Sequence, residues 1–351
     1  MGVRELKIGN HIISDDSSAF IIAEIGHNHQ GNLETAFQLI RAAADSGATA
    51  AKFQKRDNRS LFTPKAFNKP YNSENSFGTT YGEHREALEL DQDAYMACIE
   101  EAKKLGILFF ATAFDRVSAA FLENLDVPLY KIASGDLQNL PLISHIAEFG
   151  KPMIISTGGG TTEMIDEAVE TIRRYHNNFA ILQCTASYPA DFGILNLKVI
   201  ETLRARYPEN IVGYSGHDNG IAMAIAAYAL GARIIEKHFT LNRAMKGTDH
   251  AFSLEPVGMK KMVRDLHRTK SALGDGVKQV YEIEMGAIKK MGKMIVAARD
   301  LIPGEVITTA EIEFRSPAEG LPPSAIHLIY GKVVAKKISW MDPIRFEDLE
   351  M

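Results

Sequence analysis

The sequence predicts an α/β protein: a closed (β/α)8 barrel of the triosephosphate isomerase type, followed by a small, mostly β domain. Three observations lead to this prediction. Eight short apolar runs alternate with eight segments of helical spacing, which favours a parallel sheet covered by helices. Charged and histidine side chains stand late in several of the apolar runs, where such barrels carry their chemistry. From Met291 this alternation stops, and short β runs between Pro- and Gly-rich turns follow.

The chain opens with a predicted β-hairpin over Glu5–Ile13, in which two alternating runs flank Gly9-Asn10. We expect this hairpin to close the bottom of the barrel. Apolar runs then predict the barrel strands Phe20–Ile25, Ala50–Gln54, Ile107–Thr112, Leu129–Ser134, Met153–Thr157, Ala180–Thr185, Ile211–Ser215 and Arg233–Phe239. Helical spacing predicts the helices Asn32–Ser46, Gln92–Leu105, Val117–Leu125, Leu140–Phe149, Thr162–His176, Leu197–Tyr207, Gly220–Gly231 and Pro256–Leu273.

One connection is much longer than the others. The polar and aromatic segment from Lys55 to about Leu90 separates the second strand from the second helix, whereas connections in α/β units usually span a few residues. Long connections inside compact domains are typically functional, so we expect this segment to have a functional role.

The change of pattern near the end divides the chain into a barrel domain at residues 1–281, a charged helical linker at 282–290 and a small domain at 291–351. The β runs of the small domain are MIVAARDL and VVAKKI. A domain of about sixty residues buries little core, so we expect it to dock on another surface.

Composition excludes several classes of function. A formal net charge of −5 gives no electrostatic basis for binding nucleic acid or an anionic membrane. No apolar run approaches the roughly 18 residues of a membrane helix, and the N-terminal segment lacks the apolar centre of a signal peptide. The two cysteines, Cys98 and Cys184, give neither a disulfide framework nor a metal-binding spacing. We therefore expect a cytoplasmic protein with no nucleic-acid or membrane partner.

Four charged residues interrupt the apolar strands: Glu24, Lys52, Lys131 and Glu236. Burying such groups costs free energy unless they are paired or used. We expect the first three to lie at the catalytic rim, while for Glu236 a structural ion-pair cluster is a serious alternative. The polar groups at other strand ends are Gln54, Thr112, Ser134, Ser156, Tyr188 and Ser215. Lysines and hydroxyls, together with the Gly158–Gly160 backbone, suit a phosphate ester.

Two histidines, His217 and His238, follow the last two strands at matched positions, so they should lie side by side on the rim. Alternation along the last strand places Glu236 on the face of His238 and Lys237 on the opposite face. With Asp218 and Asp249 nearby, this pattern favours a divalent metal site. A pair of hydrogen-bonded core histidines is the alternative interpretation.

Seven ordered motifs resemble those of sialic acid synthases, and the resemblance covers essentially the whole chain. The tail Met291–Met351 is similar to the C-terminal antifreeze-like (SAF) domain of that family. The motifs are AEIGHNHQG at Ala23–Gly31, KFQK at Lys52–Lys55, KIASGD at Lys131–Asp136, STG at Ser156–Gly158, QCTASYP at Gln183–Pro189, YSGH at Tyr214–His217, and Glu236–His238 with KGTDHAFSLEP at Lys246–Pro256.

The resemblance implies the condensation of phosphoenolpyruvate with an N-acylmannosamine-type aldehyde, with cleavage of the C–O bond and release of phosphate. It makes His217 and His238 ligands of a divalent ion, usually manganese, with magnesium or cobalt as alternatives. Glu24 matches the general base that takes a proton from water. Lys52, Lys131, Ser134, Ser156 and Ser215 match positions that hold phosphoenolpyruvate, and Gln54, Tyr188 and Asp249 match positions that face the sugar.

Departures from the family pattern concern the acceptor sugar. Asp136 and Ala186 replace a Glu and an Asn of the bacterial enzymes, and Pro70–Glu86 resembles the branch that forms a 9-phosphate product. We therefore expect a phosphorylated acceptor, N-acetylmannosamine 6-phosphate. Unphosphorylated N-acetylmannosamine, mannose 6-phosphate and a diacetamido sugar (for legionaminate or pseudaminate) remain alternatives. The resemblance also implies a domain-swapped homodimer in which Arg315 reaches the sugar pocket of the partner subunit.

Three other functions remain as alternatives. A Schiff-base aldolase on the same barrel would use Lys131 as its nucleophile and need no metal. A 3-deoxy-octulosonate-type synthase shares the phosphoenolpyruvate chemistry but lacks a C-terminal domain of this kind. A protein that only binds carbohydrate or ice has no reason to bury rim charges.

Overall fold

In a computed structural model, which describes residues 4–350, the first element is the predicted hairpin. It consists of the antiparallel strands β1 (Glu5–Ile8) and β2 (His11–Ser14). Eight parallel strands then close into a barrel in sequence order, with the last strand paired to the first. These strands are β3 (Phe20–Gly26), β4 (Ala50–Lys55), β5 (Leu108–Ala113), β6 (Tyr130–Ile132), β7 (Met153–Ser156), β8 (Phe179–Cys184), β9 (Ile211–Gly216) and β10 (Ile234–His238). The predicted (β/α)8 barrel is confirmed.

The helices of this part of the chain begin at residues with capping side chains in several places. Asn32, Asp91 and Asp115 each accept a hydrogen bond from a backbone amide of the first turn that follows. The helices are α1 (Leu33–Asp45), α2 (Asn58–Leu61), α3 (Pro64–Phe67), α4 (Tyr81–Glu86), α5 (Gln92–Lys104), α6 (Arg116–Asn124), α7 (Leu140–Ala147), α8 (Thr162–Arg173), α9 (Val199–Arg206), α10 (Ala222–Ala229) and α11 (Pro256–Leu273).

The long connection after β4 is ordered by its own short helices, α2 to α4. Thr80 and Glu83 form a capping box at the start of α4. Arg59 of α2 lies over the ring of Phe67 in α3, with its guanidinium carbon 3.8 Å from the ring centroid. The connection is therefore a folded segment held by its own contacts.

A bulge in β3 shapes the barrel mouth. The pairing of β3 with β4 shifts register between Glu24 and Gly26, and Gly26 has a positive φ of 54°, which favours glycine. A Cβ atom at Gly26 would lie 3.1 Å from Gln54 Nε2 and 3.2 Å from Glu24 Oε1. Glycine at this position thus leaves room for two of the predicted site residues.

The second compact unit begins at Asp275. Its regular elements are a 3₁₀ turn (Glu282–Glu284), α12 (Met285–Met291), the antiparallel strands β11 (Met294–Ala297) and β12 (Ile312–Arg315), and α13 (Ile326–Ile329). Residues 275–281, which the sequence assigned to the barrel domain, group with this unit. Residues 1–3 and 351 of the predicted domains lie outside the described residues.

The core of this unit is built by apolar residues that come mostly from irregular segments, among them Leu301, Ile307, Val334 and Ile344. The predicted strand VVAKKI is wrong in detail, because Val333 and Val334 form only isolated bridges, to Val306 and Leu349. Across the described part of the chain, no helix has the length and apolar character needed to cross a membrane.

Candidate active site

A cavity of about 550 Å³ opens at the carboxyl ends of the barrel strands. Most of the residues that the sequence nominated for the site line this cavity. They are Glu24, Lys52, Gln54, Thr112, Lys131, Ser134, Ser156, Tyr188, Ser215, His217, His238 and Asp249. The barrel therefore brings together side chains that are more than 200 positions apart in the chain.

Glu24 and Lys52 form a buried ion pair at the base of the cavity. Lys52 Nζ lies 2.7 Å from Glu24 Oε2 and 3.7 Å from Glu236 Oε2, and it donates a hydrogen bond of 2.9 Å to Thr112 Oγ1. Burial raises the pKa of Glu24. The charge of Lys52 acts to lower this pKa, whereas the carboxylate of Glu236 raises it further. The pKa of Glu236 is lowered, because Lys52 and Lys131 together outweigh its burial. Of the two carboxylates, Glu24 is thus the one disposed to accept a proton.

The amide of Gln54 fixes the other oxygen of the same base. Gln54 Nε2 donates to Glu24 Oε1 at 2.7 Å, while Oε2 faces the Lys52 ammonium in the ion pair. Ser215 Oγ likewise donates a hydrogen bond of 3.0 Å to Glu236 Oε1. These contacts fix the orientation of both carboxylates.

Lys131 is buried on the neighbouring strand β6. Its Nζ donates to Ser156 Oγ at 2.6 Å and to the carbonyl of Ile132 at 2.8 Å. Burial lowers the pKa of Lys131 to about 8, although Glu236 acts to raise it. The side chain is therefore a cation at neutral pH that loses its proton far more easily than an ordinary lysine.

His217 and His238 face each other across the ends of β9 and β10, with ring centroids 5.3 Å apart. Burial lowers the pKa of each to about 4, so both imidazoles are neutral and each carries a free nitrogen lone pair. His217 Nδ1 lies 2.9 Å from the carbonyl of Thr185, which assigns the proton to Nδ1 and leaves Nε2 for a ligand.

These two histidines fit a divalent metal ion. His238 Nδ1 is buried without a hydrogen-bond partner, and the carboxylate of Asp249 stands 3.6 Å away. Among the described residues, no cluster of three or more His, Cys, Asp or Glu side chains is arranged to hold a metal. The imidazoles would thus supply two ligands and leave the other positions to water or substrate.

Asp218 belongs to a different arrangement from the one the sequence suggested. It pairs with Lys237 at 3.1 Å and accepts a hydrogen bond of 2.7 Å from the hydroxyl of Tyr214. As predicted from strand alternation, Lys237 faces away from the cavity that Glu236 and His238 line. Asp218 is therefore a partner for a buried lysine behind the site.

Two nominated residues are not among those that line the cavity. Asp136 ends a 3₁₀ turn after β6, and its Oδ1 accepts a hydrogen bond of 3.0 Å from Asn139 Nδ2. Arg315 ends β12 in the second unit, where its side chain is 54% exposed and pairs with Glu313. The sequence suggested the Gly158–Gly160 backbone as a phosphate contact, but the amide of Gly158 donates to Ser134 Oγ at 3.0 Å.

Sequence reasoning left out several residues that line the cavity, chiefly Arg56, Arg85 and Phe114. Arg56 was within reach of a pattern, because positions 52, 54 and 56 alternate along β4 and past its end. Arg85 lies in α4 of the long connection, so no strand pattern pointed to it.

The histidine cluster after β3 is structural. His29 stacks on Phe53 with ring centroids 4.8 Å apart, and burial lowers its pKa to about 3. Asn28 Nδ2 donates to the carbonyl of Phe239 at 2.9 Å and to Ser253 Oγ at 3.1 Å. Asn28 thus ties the end of β3 to the segment after β10, and His29 packs against β4.

Comparison with known proteins shows which family the chain belongs to. Residues 39–278 match the NeuB family and residues 292–350 match the SAF domain. The N-acetylneuraminate-9-phosphate synthase of Mus musculus is 39% identical, over 94% of this chain and 92% of its own. The N,N'-diacetyllegionaminic acid synthase of Campylobacter jejuni is 37% identical, over 93% and 98%. The N-acetylneuraminic acid synthetase structure from Leptospira borgpetersenii superimposes with a TM-score of 0.72 and 34% identity, over 82% of this chain and 95% of that one.

Proposed function

Since the chain belongs to the NeuB family and ends in an SAF domain, we propose that it condenses phosphoenolpyruvate with an N-acylmannosamine-type sugar. It is an enzyme of the sialic acid synthase type, as its relatives are. The product is an N-acylneuraminate or its 9-phosphate, with inorganic phosphate released. The observation that carries this proposal is the buried contact of Glu24 with Lys52, in a cavity that also holds Lys131 and two neutral imidazoles.

Phosphoenolpyruvate is an anion, and the base of the cavity offers cations and hydroxyls to receive it. Lys52 and Lys131 supply the positive charge, and Ser134, Ser156 and Ser215 supply hydrogen bonds. Since Lys131 is buried, its interaction with an anion is weakened little by water. We assign these groups to holding the phosphate and carboxylate of phosphoenolpyruvate.

The chemical steps follow from that placement. C3 of phosphoenolpyruvate attacks the aldehyde carbon of the open-chain sugar and forms the new C–C bond. The C=O π bond breaks, the aldehyde oxygen takes up a proton to become a hydroxyl group, and an oxocarbenium-like centre is left at C2. Water adds to C2 and gives up a proton to Glu24, whose raised pKa suits it to general base catalysis near neutral pH. The tetrahedral intermediate then breaks the C–O bond to phosphate, which leaves.

His217 and His238 would hold a divalent ion, for which we propose manganese. When bound, such an ion supplies Lewis-acid polarisation of the aldehyde oxygen. The carboxylate of Asp249, beside His238, faces the same part of the cavity and is placed to receive hydroxyl groups of the sugar.

The relatives differ in their sugars, so the acceptor is the finer part of this proposal. The animal relatives are named for a 9-phosphate product, and the Campylobacter jejuni relative for N,N'-diacetyllegionaminic acid. The match to the animal enzymes favours N-acetylmannosamine 6-phosphate as the acceptor.

Two further features belong to the proposal. We propose a domain-swapped homodimer, because the segment before α12 exposes large apolar side chains that a second copy would cover; Ile283 is 92% exposed. We also propose a cytoplasmic location, which suits the two free, buried cysteines.

A Schiff-base aldolase is a second candidate, favoured by one observation: the buried Lys131 has a lowered pKa, as nucleophilic lysines do. Borohydride reduction in the presence of substrate traps such an enzyme as an inactive covalent adduct. Full activity after that treatment excludes the aldolase.

The proposed reaction is tested by phosphate release from phosphoenolpyruvate, with manganese, across four acceptors: N-acetylmannosamine, its 6-phosphate, mannose 6-phosphate and a diacetamido sugar. Phosphoenolpyruvate labelled with oxygen-18 in the bridging position then reports the bond that breaks. We expect the label in the phosphate, as C–O cleavage requires. Failure to release phosphate with any acceptor, or label retained in the ketose, contradicts the proposal.

A further inference from the structure

Two arginines line the same cavity, and the reaction steps above use neither of them. Arg56 directly follows β4, and Arg85 lies in α4 of the long connection. Lys52, Gln54 and Arg56 alternate in the chain and all line the cavity. At about 3.3 Å per residue, the Cα of Arg56 lies roughly 13 Å further along this strand direction than that of Lys52. Arg56 thus lies at the mouth of the cavity and Lys52 at its base, and Arg85 joins the lining from the connection that follows β4.

Neither guanidinium has a carboxylate within 4.0 Å among the described residues. Arg56 contacts uncharged groups: its guanidinium carbon lies 3.7 Å from the ring centroid of Phe114, and its Nη1 lies 3.2 Å from His27 Nδ1. Burial lowers the pKa of His27 well below its usual range, so that ring is neutral. Arg85 donates to the hydroxyl of Tyr81 at 3.1 and 2.9 Å.

The neighbouring cations, in contrast, are paired. Lys55 Nζ lies 2.8 Å from Glu89 Oε2, and Arg59 Nε lies 3.1 Å from Glu86 Oε1. The carboxylates of this segment are therefore paired with cations that do not line the cavity. The two arginines that do line it have no carboxylate partner among the described residues.

Two like charges held together without a counter-charge are costly where burial removes water. Arg56 is only 9% exposed. Burial, and next the charge of Arg85, lower its pKa to about 10; Glu89 and Asp249 offset this only in part. A dianion with several oxygens relieves this repulsion, because guanidinium groups bind phosphate with paired hydrogen bonds.

We propose that Arg56 and Arg85 form the subsite for a phosphate ester at the far end of the acceptor sugar. This inference rests on the proposed function and deepens it: the aldehyde end of the acceptor reacts at the base, and the 6-phosphate is held at the mouth. The long connection after β4 is, on this account, the element that selects the acceptor.

Binding is tested with N-acetylmannosaminitol 6-phosphate and its unphosphorylated form, which lack the aldehyde and cannot react. Calorimetry compares the wild type with Arg85→Gln, Arg85→Lys and the control Arg59→Gln, an exposed arginine of the same segment. A charge-assisted hydrogen bond corresponds to a change of about 10- to 100-fold. We expect Arg85→Gln to weaken the phosphorylated ligand by that factor relative to the unphosphorylated one, Arg85→Lys to recover part of the loss, and Arg59→Gln to match the wild type.

Other outcomes overturn the subsite. The wild type could bind both alditols equally, Arg85→Gln could weaken both by the same factor, or it could weaken phosphoenolpyruvate instead, which would assign the arginines to the other substrate. Kinetics separate this inference from the proposed function. If Arg85→Gln turns over with an unchanged acceptor preference, the subsite proposal is wrong and the synthase proposal stands. If binding depends on the arginine but no acceptor gives phosphate release, the subsite proposal stands and the synthase proposal is wrong.

Discussion

Lys237 Nζ lies 3.1 Å from Asp218 Oδ1, in a buried ion pair between the two residues that directly adjoin the cavity histidines in the chain. Lys237 is 1% exposed and Asp218 is fully buried. Asp218 follows His217, and Lys237 precedes His238. The pair thus ties the ends of β9 and β10 together on the side opposite the cavity and holds the spacing of the imidazoles.

Replacing Lys237 by Met should destabilise the fold by about 3–5 kcal/mol, because it leaves the charge of Asp218 buried without a partner. Urea unfolding measures this loss. The double variant Lys237→Met/Asp218→Asn removes both charges and keeps an acceptor for Tyr214, so it should recover at least half of the stability. The exposed Lys103→Met serves as the control, with almost no effect. A loss below about 1 kcal/mol in the single variant would show that water reaches Asp218.

The sequence predicted the barrel well because the barrel repeats one simple pattern. Buried strands such as Phe20–Gly26 and helices such as Leu33–Asp45 carry their periodicity locally. The count of eight strand-and-helix units then implied a closed barrel. In the second unit, the run that contains Val333 and Val334 predicted a strand, but these residues form only isolated bridges. The core of that unit comes mostly from irregular segments, and the contacts of such segments produce no periodic pattern in the sequence.

The site divides in the same way. Side chains on strand ends, such as Glu24 and His238, were predictable because parallel strands place their ends together. Arg85 was not, since its place depends on how a long connection folds over the mouth. The sequence placed Asp218 near the predicted metal site, because spacing along the chain does not reveal that its carboxylate forms an ion pair with Lys237.

Removing either cavity histidine should remove the metal. We expect His217→Ala and His238→Ala to lose bound manganese after dialysis and at least about 100-fold of the turnover, with near-wild-type circular dichroism. Atomic emission spectrometry gives the metal content. His267→Ala, an exposed histidine on α11, should retain both. Unchanged manganese content in either cavity variant would refute the metal assignment.

The lowered pKa of Lys131 predicts an alkaline limit for phosphoenolpyruvate. In the proposed mechanism the protonated side chain binds the anion, and burial lowers the pKa of Lys131 to about 8. As the pH rises through that value the cation is lost, so kcat/KM for phosphoenolpyruvate should fall above it, while a lysine at about 10.4 would show no decline there. A pH profile of kcat/KM provides the test, with Lys131→Met expected to lack both this limb and most of the activity. A wild-type profile that stays flat well beyond this pH contradicts the assignment.

The proposed dimer predicts that two inactive variants restore each other. Arg315 is exposed on β12, and in the swapped arrangement it completes the sugar pocket of the partner subunit. Glu24 acts within its own barrel. Arg315→Ala and Glu24→Ala should each be nearly inactive alone. A mixed dimer then contains one site with both defects and one intact site, so an equal mixture that has exchanged subunits should recover about a quarter of the wild-type activity. Glu24→Ala exchanged with itself is the control and should stay inactive.

If each subunit completes its own pocket instead, every site in the mixture carries one defect. The mixture would then also stay inactive, and the swapped arrangement would be wrong, whereas an ordinary surface ion pair at Arg315 would leave Arg315→Ala active from the start.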